Sequence, residues 1–222
     1  VAALSLRAAA RRAGVSHNAP YRHFPDRDAL LAALAAEGFA QLKQALDGKS
    51  GRELGEAYVR FALERPERFR LMFELQVRAP FELAQLVLPG MRERRRGWIL
   101  NVTSRAGVNP IGPPFEKLHV AGGFTVYGMC KAALERFATG LAAEVIDDNI
   151  SVNAISPGLV ATPGVAVHGL ITEKTKDRVT PIEFIAQSVF EIVSRDPKAM
   201  TGRIDHASPF LKELSVEPAA LA

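Results

Sequence analysis

The chain has 222 residues, of which 48% are apolar and 23% charged, a composition typical of a globular protein with one or two domains. No apolar run reaches the roughly 18 residues that span a bilayer, and the start at Val1 has no signal-peptide pattern, so we expect a cytoplasmic protein without membrane contact. The single cysteine, Cys130, excludes an internal disulfide, and the five histidines have no partners at metal-ligand spacing. We therefore predict no metal site.

The net charge of +4 is carried by the front of the chain. Residues 1–73 hold twelve Lys and Arg against eight Asp and Glu, whereas residues 74–222 hold sixteen of each. The first 27 residues contain five arginines and one acidic residue, Asp26: the arginines are Arg7, Arg11, Arg12, Arg22 and Arg27. This excess of positive charge near the start of the chain predicts a polyanion as a partner. The alternative is a basic helix face that is exposed to solvent and binds nothing.

Two short helices are predicted at the front. The first runs from Ser5 to Ala13 with an apolar stripe at three-and-four spacing, and Gly14 ends it. We expect Val15 to point inward and Ser16 to cap a second helix, His17–Phe24. Two helices joined by a tight glycine turn form a helix-turn-helix, whose second helix fits the major groove of DNA.

The front of the chain resembles the DNA-binding domain of the TetR family of repressors. The resemblance lies in residues 4–31, which read LSLRAAARRAGVSHNAPYRHFPDRDALL. It implies DNA binding through residues 5–27, with base edges contacted by Ser16, His17, Asn18 and Arg22, and phosphates contacted by Tyr21, His23 and Arg27. The family's first helix and its effector-pocket helices have no counterpart in residues 1–73. The alternative for these residues is a helical segment without a site.

Further helices are predicted before the middle of the chain. Asp26 is suited to cap a long helix, and the helical pattern continues from Arg52 to Met72. Gly48, Gly51 and Gly55 lie between these helices rather than after a strand. They therefore predict a linker and not a phosphate-binding turn.

From residue 74 onward, apolar runs of strand length alternate with helical patterns. The predicted elements are, in chain order, a helix at Phe81–Arg94, a strand at Trp98–Val102, a helix at Cys130–Ile146, a strand at Ser151–Ile155, a helix opened by the capping box Thr180–Glu183, and a strand at Met200–Ile204. This alternation indicates a parallel sheet covered by helices. The predicted fold class is α/β, with an all-α helix-turn-helix segment over residues 1–73 and a partial Rossmann-like sheet of about three strands over residues 74–222.

Three short motifs in the back of the chain carry chemistry. Ser104 ends the sequence NVTS, at the carboxyl end of a strand, where parallel sheets bind ligands. Tyr127 and Lys131 lie one helical turn apart in YGMCK, so a phenol and an ammonium share a helix face. The third motif, NAISPG, ends at Gly158 in a turn where a flat ring can approach the backbone. Taken alone, each motif has an ordinary alternative: a capping serine, two surface neighbours, or a turn.

In this order the motifs resemble the short-chain dehydrogenase/reductase family from its fifth strand onward, over residues 74 to about 205. The resemblance implies that Tyr127 is the general acid or base on a hydroxyl or carbonyl oxygen and that Ser104 hydrogen-bonds the same oxygen. Lys131 would hold the nicotinamide ribose and, as a nearby cation, favour the phenolate of Tyr127. The residues implied to bind the cofactor, NAD or NADP, are Tyr127, Lys131, Pro157, Gly158, Val160 and Thr162.

The cofactor-binding half of that family has no counterpart in this sequence. Its Gly-rich turn, its ribose selector and its Asn-Asn-Ala-Gly segment are all lacking, so we expect weak or absent NAD(P) binding. Gln76 stands where the family has the asparagine of its proton relay. The proline-containing stretch between Ser104 and Tyr127 is longer than usual and predicts a loop on the substrate side.

The sequence supports three functions. The first is a truncated oxidoreductase that acts on a small alcohol or ketone through Ser104, Tyr127 and Lys131. The second is a TetR-type transcriptional regulator that uses the back end as a scaffold, and the third is an inert fusion joined at Phe73–Glu74. In each case we expect a homo-oligomer, formed through the helices at 81–94 and 131–146 and through the unpaired edge of the strand at 98–102.

Overall fold

The computed structural model describes residues 5–49, 51–115, 125–162, 165, 171–173 and 175–218. Within these ranges the chain forms two compact units, one of residues 5–75 and one that begins at Gln76. The joint predicted at Phe73–Glu74 stays a prediction, since it concerns the origin of the two segments rather than their packing. None of the described helices is both long and apolar enough to cross a bilayer.

The first unit is built from helices. They are α1 at Leu6–Arg12, α2 at Arg27–Leu46, α3 at Gly51–Glu64 and α4 at Pro66–Phe73. An apolar cluster of Leu31, Ala35 and Leu71 joins α2 to α4. Helices α3 and α4 are separated at Arg65, whose φ of −134° and ψ of 53° lie outside the helical region. The ring of the following proline disfavours a helical conformation there.

The predicted second helix of the helix-turn-helix, at residues 17–24, is wrong. The structure has a single 3₁₀ turn at Pro20–Arg22, in which backbone N–H groups bond the third residue back. A segment this short gains few hydrogen bonds to offset the cost of nucleating an α-helix. Ser16 accepts a hydrogen bond from the N–H of Asn18 at 3.4 Å, and Val15 is exposed rather than inward.

The second unit is a parallel sheet covered by helices. A π-helical segment, Glu74–Arg78, leads into α5 at Ala79–Glu93; then follow β1 at Gly97–Val102, α6 at Thr125–Val145, β2 at Ile150–Ser156, α7 at Ile182–Ser194, β3 at Ile204–His206 and α8 at Ala207–Leu214. The strand order in the described residues is β1-β2-β3, and both pairs are parallel. The predicted α/β fold class with a partial Rossmann-like sheet is therefore confirmed.

The core of the second unit surrounds the central strand. All seven residues of β2 are buried, because strands flank it on both sides and apolar clusters cover both faces. One cluster packs Val145 of α6 against Ile150 and Val152. The other packs Ile155 against α7 and Phe210 of α8. This double cover leaves the ends of the strands as the accessible part of the sheet.

Two predicted boundaries in this unit are wrong. The third strand begins at Ile204 and not at Met200. The residues just before it run beside β2 and form only single hydrogen bonds with it, such as the one from the Gly202 N–H to the Val152 carbonyl at 2.9 Å. The capping box at Thr180 does not form, because that residue donates its N–H to the Leu159 carbonyl at 2.8 Å. Helix α7 accordingly begins at residue 182 without a side-chain cap. Helix α8 was not predicted.

Helix α5 exposes apolar side chains on its surface. They are Phe81, Leu83, Leu86 and Val87. Strand β1 ends the strand order, so one of its edges has no strand partner among the described residues. The self-association predicted through this helix, the helix at 131–146 and this edge stays a prediction.

Candidate functional site

The candidate site lies at the carboxyl edge of the parallel sheet. In the register of the sheet, Val102 at the end of β1 pairs with Ile155 near the end of β2. The segment after β1 carries Ser104, and the segment after β2 carries Gly158. Because parallel strands end at the same edge, both segments emerge side by side, as ligand-binding loops do in open parallel sheets.

Ser104 is held by a short turn that follows β1. It precedes the 3₁₀ turn Arg105–Gly107 and accepts the N–H of Ala106 on its Oγ at 3.3 Å. The side chain also forms a hydrogen bond with the phenol of Tyr127, which lowers the pKa of that phenol. The serine and the tyrosine are therefore in contact, as their predicted roles require.

Tyr127 lies in the first turn of α6 and is half-buried. Burial raises the pKa of Tyr127 above its ordinary value and outweighs the lowering by Ser104, while Cys130 raises it further. The prediction that Lys131 favours the phenolate stays a prediction, since burial and Cys130 account for the raised pKa of Tyr127. The Lys131 ammonium lies over the ring, 5.5 Å from its centroid, where it stabilises a phenolate less than it would beside the oxygen.

Lys131 lies one turn further along α6 and is buried. Its Nζ donates a hydrogen bond to the Val102 carbonyl at 2.9 Å, which ties the helix to the end of β1. Burial lowers the pKa of Lys131, whereas the neighbouring Cys130 and Glu135 raise it. The ammonium is thus desolvated but has polar partners, as a buried charge requires.

The segment after β2 supplies the remaining predicted residues. Gly158 has a φ of +82°, in the left-handed region that favours glycine, and a Cβ there would collide with Thr180. Val160 is buried, and Thr162 accepts the N–H of Val165 on its Oγ1 at 3.3 Å. These residues, with the half-buried Pro157, lie at the same sheet edge as Ser104.

Three polar residues near this edge escaped sequence reasoning. Thr103 donates its hydroxyl to Glu135 Oε1 at 2.6 Å, and both residues are buried. His206 ends β3, and its buried Nδ1 has no hydrogen-bond partner among the described residues. Burial lowers the pKa of His206, and so does the nearby Arg105. The spacing of Tyr127, Lys131 and Glu135 at i, i+4 and i+8 could have indicated the glutamate, but no local pattern indicated the histidine.

In the first unit, the residues predicted to contact DNA lie along one surface stretch. Ser16, His17, Asn18, Tyr21, Arg22 and His23 are all exposed, and Arg27 is partly buried at the start of α2. Asp26 caps that helix by accepting the N–H of Ala29 at 2.7 Å. Elsewhere in the described residues, no group of three His, Cys, Asp or Glu side chains could hold a metal ion.

The parallel sheet defines a Rossmann-like protein, and Ser104, Tyr127 and Lys131 come together at the carboxyl edge of that sheet. The chain belongs to the short chain dehydrogenase family, whose sequence profile matches residues 55–169. Residues 1–34 match the profile of bacterial regulatory proteins of the tetR family. The composite predicted from the sequence is therefore confirmed.

Individual relatives match the second segment. The chain is 36% identical over 96 residues to the 17-beta-hydroxysteroid dehydrogenase type 3 of Danio rerio, which is 43% of this chain and 28% of that protein. It is 33% identical over 122 residues to the 7alpha-hydroxysteroid dehydrogenase of Escherichia coli strain K12, or 54% of this chain and 43% of the relative. The chain thus spans less than half of either relative.

A solved structure shows the same likeness. The 3-oxoacyl-[acyl-carrier protein] reductase of Brucella melitensis with bound NAD is 28% identical and superposes with a TM-score of 0.50. The match covers 64% of this chain and 50% of that structure. The shared part therefore corresponds to about half of a dehydrogenase.

Proposed function

We propose that the chain is an NAD(P)-dependent oxidoreductase module that acts on the hydroxyl or carbonyl group of a small molecule. The observation that carries this proposal is the contact among Ser104, Tyr127 and Lys131 at the carboxyl edge of a parallel sheet. Two separate segments supply these side chains, and the fold brings them together. Such convergence at a ligand-binding edge is typical of an active site rather than of surface neighbours.

Burial raises the pKa of Tyr127, so this phenol keeps its proton at neutral pH. A phenol that keeps its proton can donate it to a carbonyl oxygen as that oxygen gains charge. Ser104, which already contacts the phenol, can donate a second hydrogen bond to the same oxygen. In the reduction of a carbonyl, Tyr127 would thus supply the proton that turns the carbonyl oxygen into a hydroxyl group.

The residues present fit the nicotinamide end of the cofactor. Lys131 uses one of its three donors on the Val102 carbonyl, which leaves two for ribose hydroxyls. Gly158 presents exposed backbone without a side chain at the same edge, where a flat ring can approach. A bound NAD(P)H would supply the hydride, while these residues orient it toward the carbonyl carbon.

Binding of the reduced cofactor is the first test. Trp98, the only tryptophan of the chain, lies in β1 of the same sheet. Addition of NADH or NADPH should quench its emission and produce sensitised nicotinamide emission. The variant Lys131→Met should weaken this signal, whereas Lys198→Met, at an exposed lysine outside the site, should not. The proposal would be contradicted if millimolar NADH or NADPH gave no energy transfer from Trp98 and if the chain reduced no carbonyl compound. That result would favour the inert fusion.

A second candidate function is DNA binding through the first unit. It is favoured by the tetR-family match of residues 1–34 and by the exposure of six of the seven predicted contact residues, all except Arg27. A TetR-type regulator would use this surface on base edges and phosphates. Gel shifts with random duplexes and with selected duplexes test it, and equal affinity for both would restrict the function to charge-driven binding.

A further inference from the structure

Three residues on one face of α6 attach this helix to the segment that carries Ser104. A Cβ on Gly128 would lie 2.5 Å from the Ala106 carbonyl oxygen, so the backbones approach closely there. Lys131 bonds the Val102 carbonyl, and Glu135 accepts the Thr103 hydroxyl at 2.6 Å. The spacing i, i+3 and i+7 places all three contacts on one face.

The contact between Thr103 and Glu135 adjoins the site without containing a reacting group. Thr103 is the residue before Ser104, and its own N–H donates to the Ile155 carbonyl at 2.8 Å. Glu135 is two turns beyond Tyr127 on the helix. The carboxylate also lies close to Gly107, where a Cβ would stand only 2.6 Å from Oε1. The turn that follows Ser104 is therefore built around this carboxylate.

Burial of Glu135 needs a reason. Both Glu135 and Thr103 are buried, and a buried carboxylate is costly unless hydrogen bonds and opposite charges compensate it. The Glu135 carboxylate accepts the Thr103 hydroxyl and interacts electrostatically with Lys131 and His206. The carboxylate also offsets part of the burial of Lys131, because its charge raises the pKa of that ammonium. Its hydrogen bond with Thr103 is in addition directional, so it fixes the position of the residue before Ser104.

We propose that Thr103 and Glu135 form a positioning pair that holds Ser104 within hydrogen-bonding distance of Tyr127. Neither residue touches the reacting atoms in this role. The pair attaches the turn after β1 to helix α6. The serine hydroxyl is therefore already placed beside the phenol, and no conformational entropy is lost in ordering a free loop when the site acts. This inference rests on the proposed function, because it assigns a supporting role within that site.

The test measures the hydrogen bond itself in the full chain, without cofactor or substrate. NMR of tyrosine labelled at Cζ reports the ionisation of Tyr127, which is assigned by the loss of its signal in Tyr127→Phe. Because the Ser104 hydrogen bond lowers the pKa of Tyr127, its loss in Ser104→Ala should raise that pKa. Thr103→Val should raise it in the same direction by loosening the turn. Thr103→Ser, which keeps the hydroxyl, should restore the parent titration.

A double-mutant cycle separates positioning from general destabilisation. If Thr103 acts through the serine, Thr103→Val should add no further shift in the Ser104→Ala background. An equal shift in both backgrounds, or no shift in Thr103→Val, would overturn the proposal. Should Thr103→Val fail to fold, Gly107→Ala offers a second route, because the added methyl displaces the Glu135 carboxylate and should also raise the pKa of Tyr127.

The readout is independent of turnover. If the chain proves inactive while the titration shifts as described, the proposed function fails and the positioning pair stands. If the chain reduces a carbonyl but Thr103→Val leaves both the titration and kcat at parent values, the pair fails and the function stands. With turnover present, Thr103→Val should lower kcat by less than Ser104→Ala does and leave KM near the parent value.

Discussion

The two compact units carry their functional side chains in opposite ways. In the second unit, Ser104 and Lys131 both contact Tyr127, the three side chains come from two segments, and they are wholly or partly buried. In the first unit, the predicted contact residues follow one another along an exposed stretch from Ser16 to His23. The candidate site of the second unit is organised by its own fold, whereas the predicted contact residues of the first unit form no such cluster and would need the surface of a partner to act on.

This difference predicts how each unit responds to substitution. A site that the fold assembles should lose its function when one central group is removed. A surface that binds a polyanion should lose affinity in small, roughly equal steps.

Removal of the Tyr127 hydroxyl should have the largest effect. Tyr127→Phe keeps the ring that packs beside Lys131 but removes the proton donor, so carbonyl reduction should fall by about a hundredfold or more. Steady-state kinetics with a small ketone and NAD(P)H measure this loss. Activity that survives the substitution would show that another group supplies the proton.

The pH profile of the same reaction tests the role of Tyr127 as an acid. Burial raises the pKa of this phenol, so the proton donor should stay intact through neutral pH and be lost only above the ordinary tyrosine pKa of about 10. The reductive kcat should therefore be constant across neutral pH and fall only at strongly alkaline pH. A decline that begins near pH 7 would indicate a depressed pKa and a phenolate base instead.

Some of the features behind these two predictions could be predicted from the sequence, and others could not. The parallel sheet could be predicted because buried strands such as Ile150–Ser156 form short apolar runs. The contact of Tyr127 with Lys131 could be predicted from helical spacing alone. The direction of the Tyr127 pKa could not, because it depends on how deeply the fold buries the ring.

Other features could not be predicted for reasons that differ between the two units. The hydrogen bond from Thr103 to Glu135 joins residues 32 positions apart, and no local pattern records it. The third strand was placed too early because residues 200–203 run beside β2 and form only single hydrogen bonds with it, and the φ of +71° at Gly202 interrupts the extended backbone there. The second helix of the helix-turn-helix was predicted at residues 17–24 from its capping residue and its family resemblance. The segment is too short to form many α-helical hydrogen bonds, and the structure has only a 3₁₀ turn there.

Substitution of a single arginine in the first unit should have a moderate effect. If Arg22 contacts DNA, Arg22→Ala should weaken binding several-fold and, where the contact is to phosphate, reduce the salt slope by about one. Arg70→Ala removes the same charge from α4, where Arg70 faces Glu67 at 3.8 Å, and serves as the matched control. Fluorescence anisotropy across a salt series measures both variants. Equal losses in the two variants would mean that net charge, and not the surface at residues 16–23, governs binding.

The smallest expected effect is a pH dependence of stability that comes from His206. Burial, and then Arg105, lowers the pKa of this histidine in the folded chain below the unfolded value of about 6.5. As the pH falls through 6.5, His206 becomes protonated in the unfolded chain but stays neutral in the folded chain. The free energy of unfolding should therefore decrease. Urea unfolding monitored by Trp98 reports on the second unit, since the chain has no other tryptophan. Between pH 8 and pH 5, the free energy of unfolding should fall by less in His206→Asn than in the parent chain. An equal fall in both would mean that other groups cause the pH dependence.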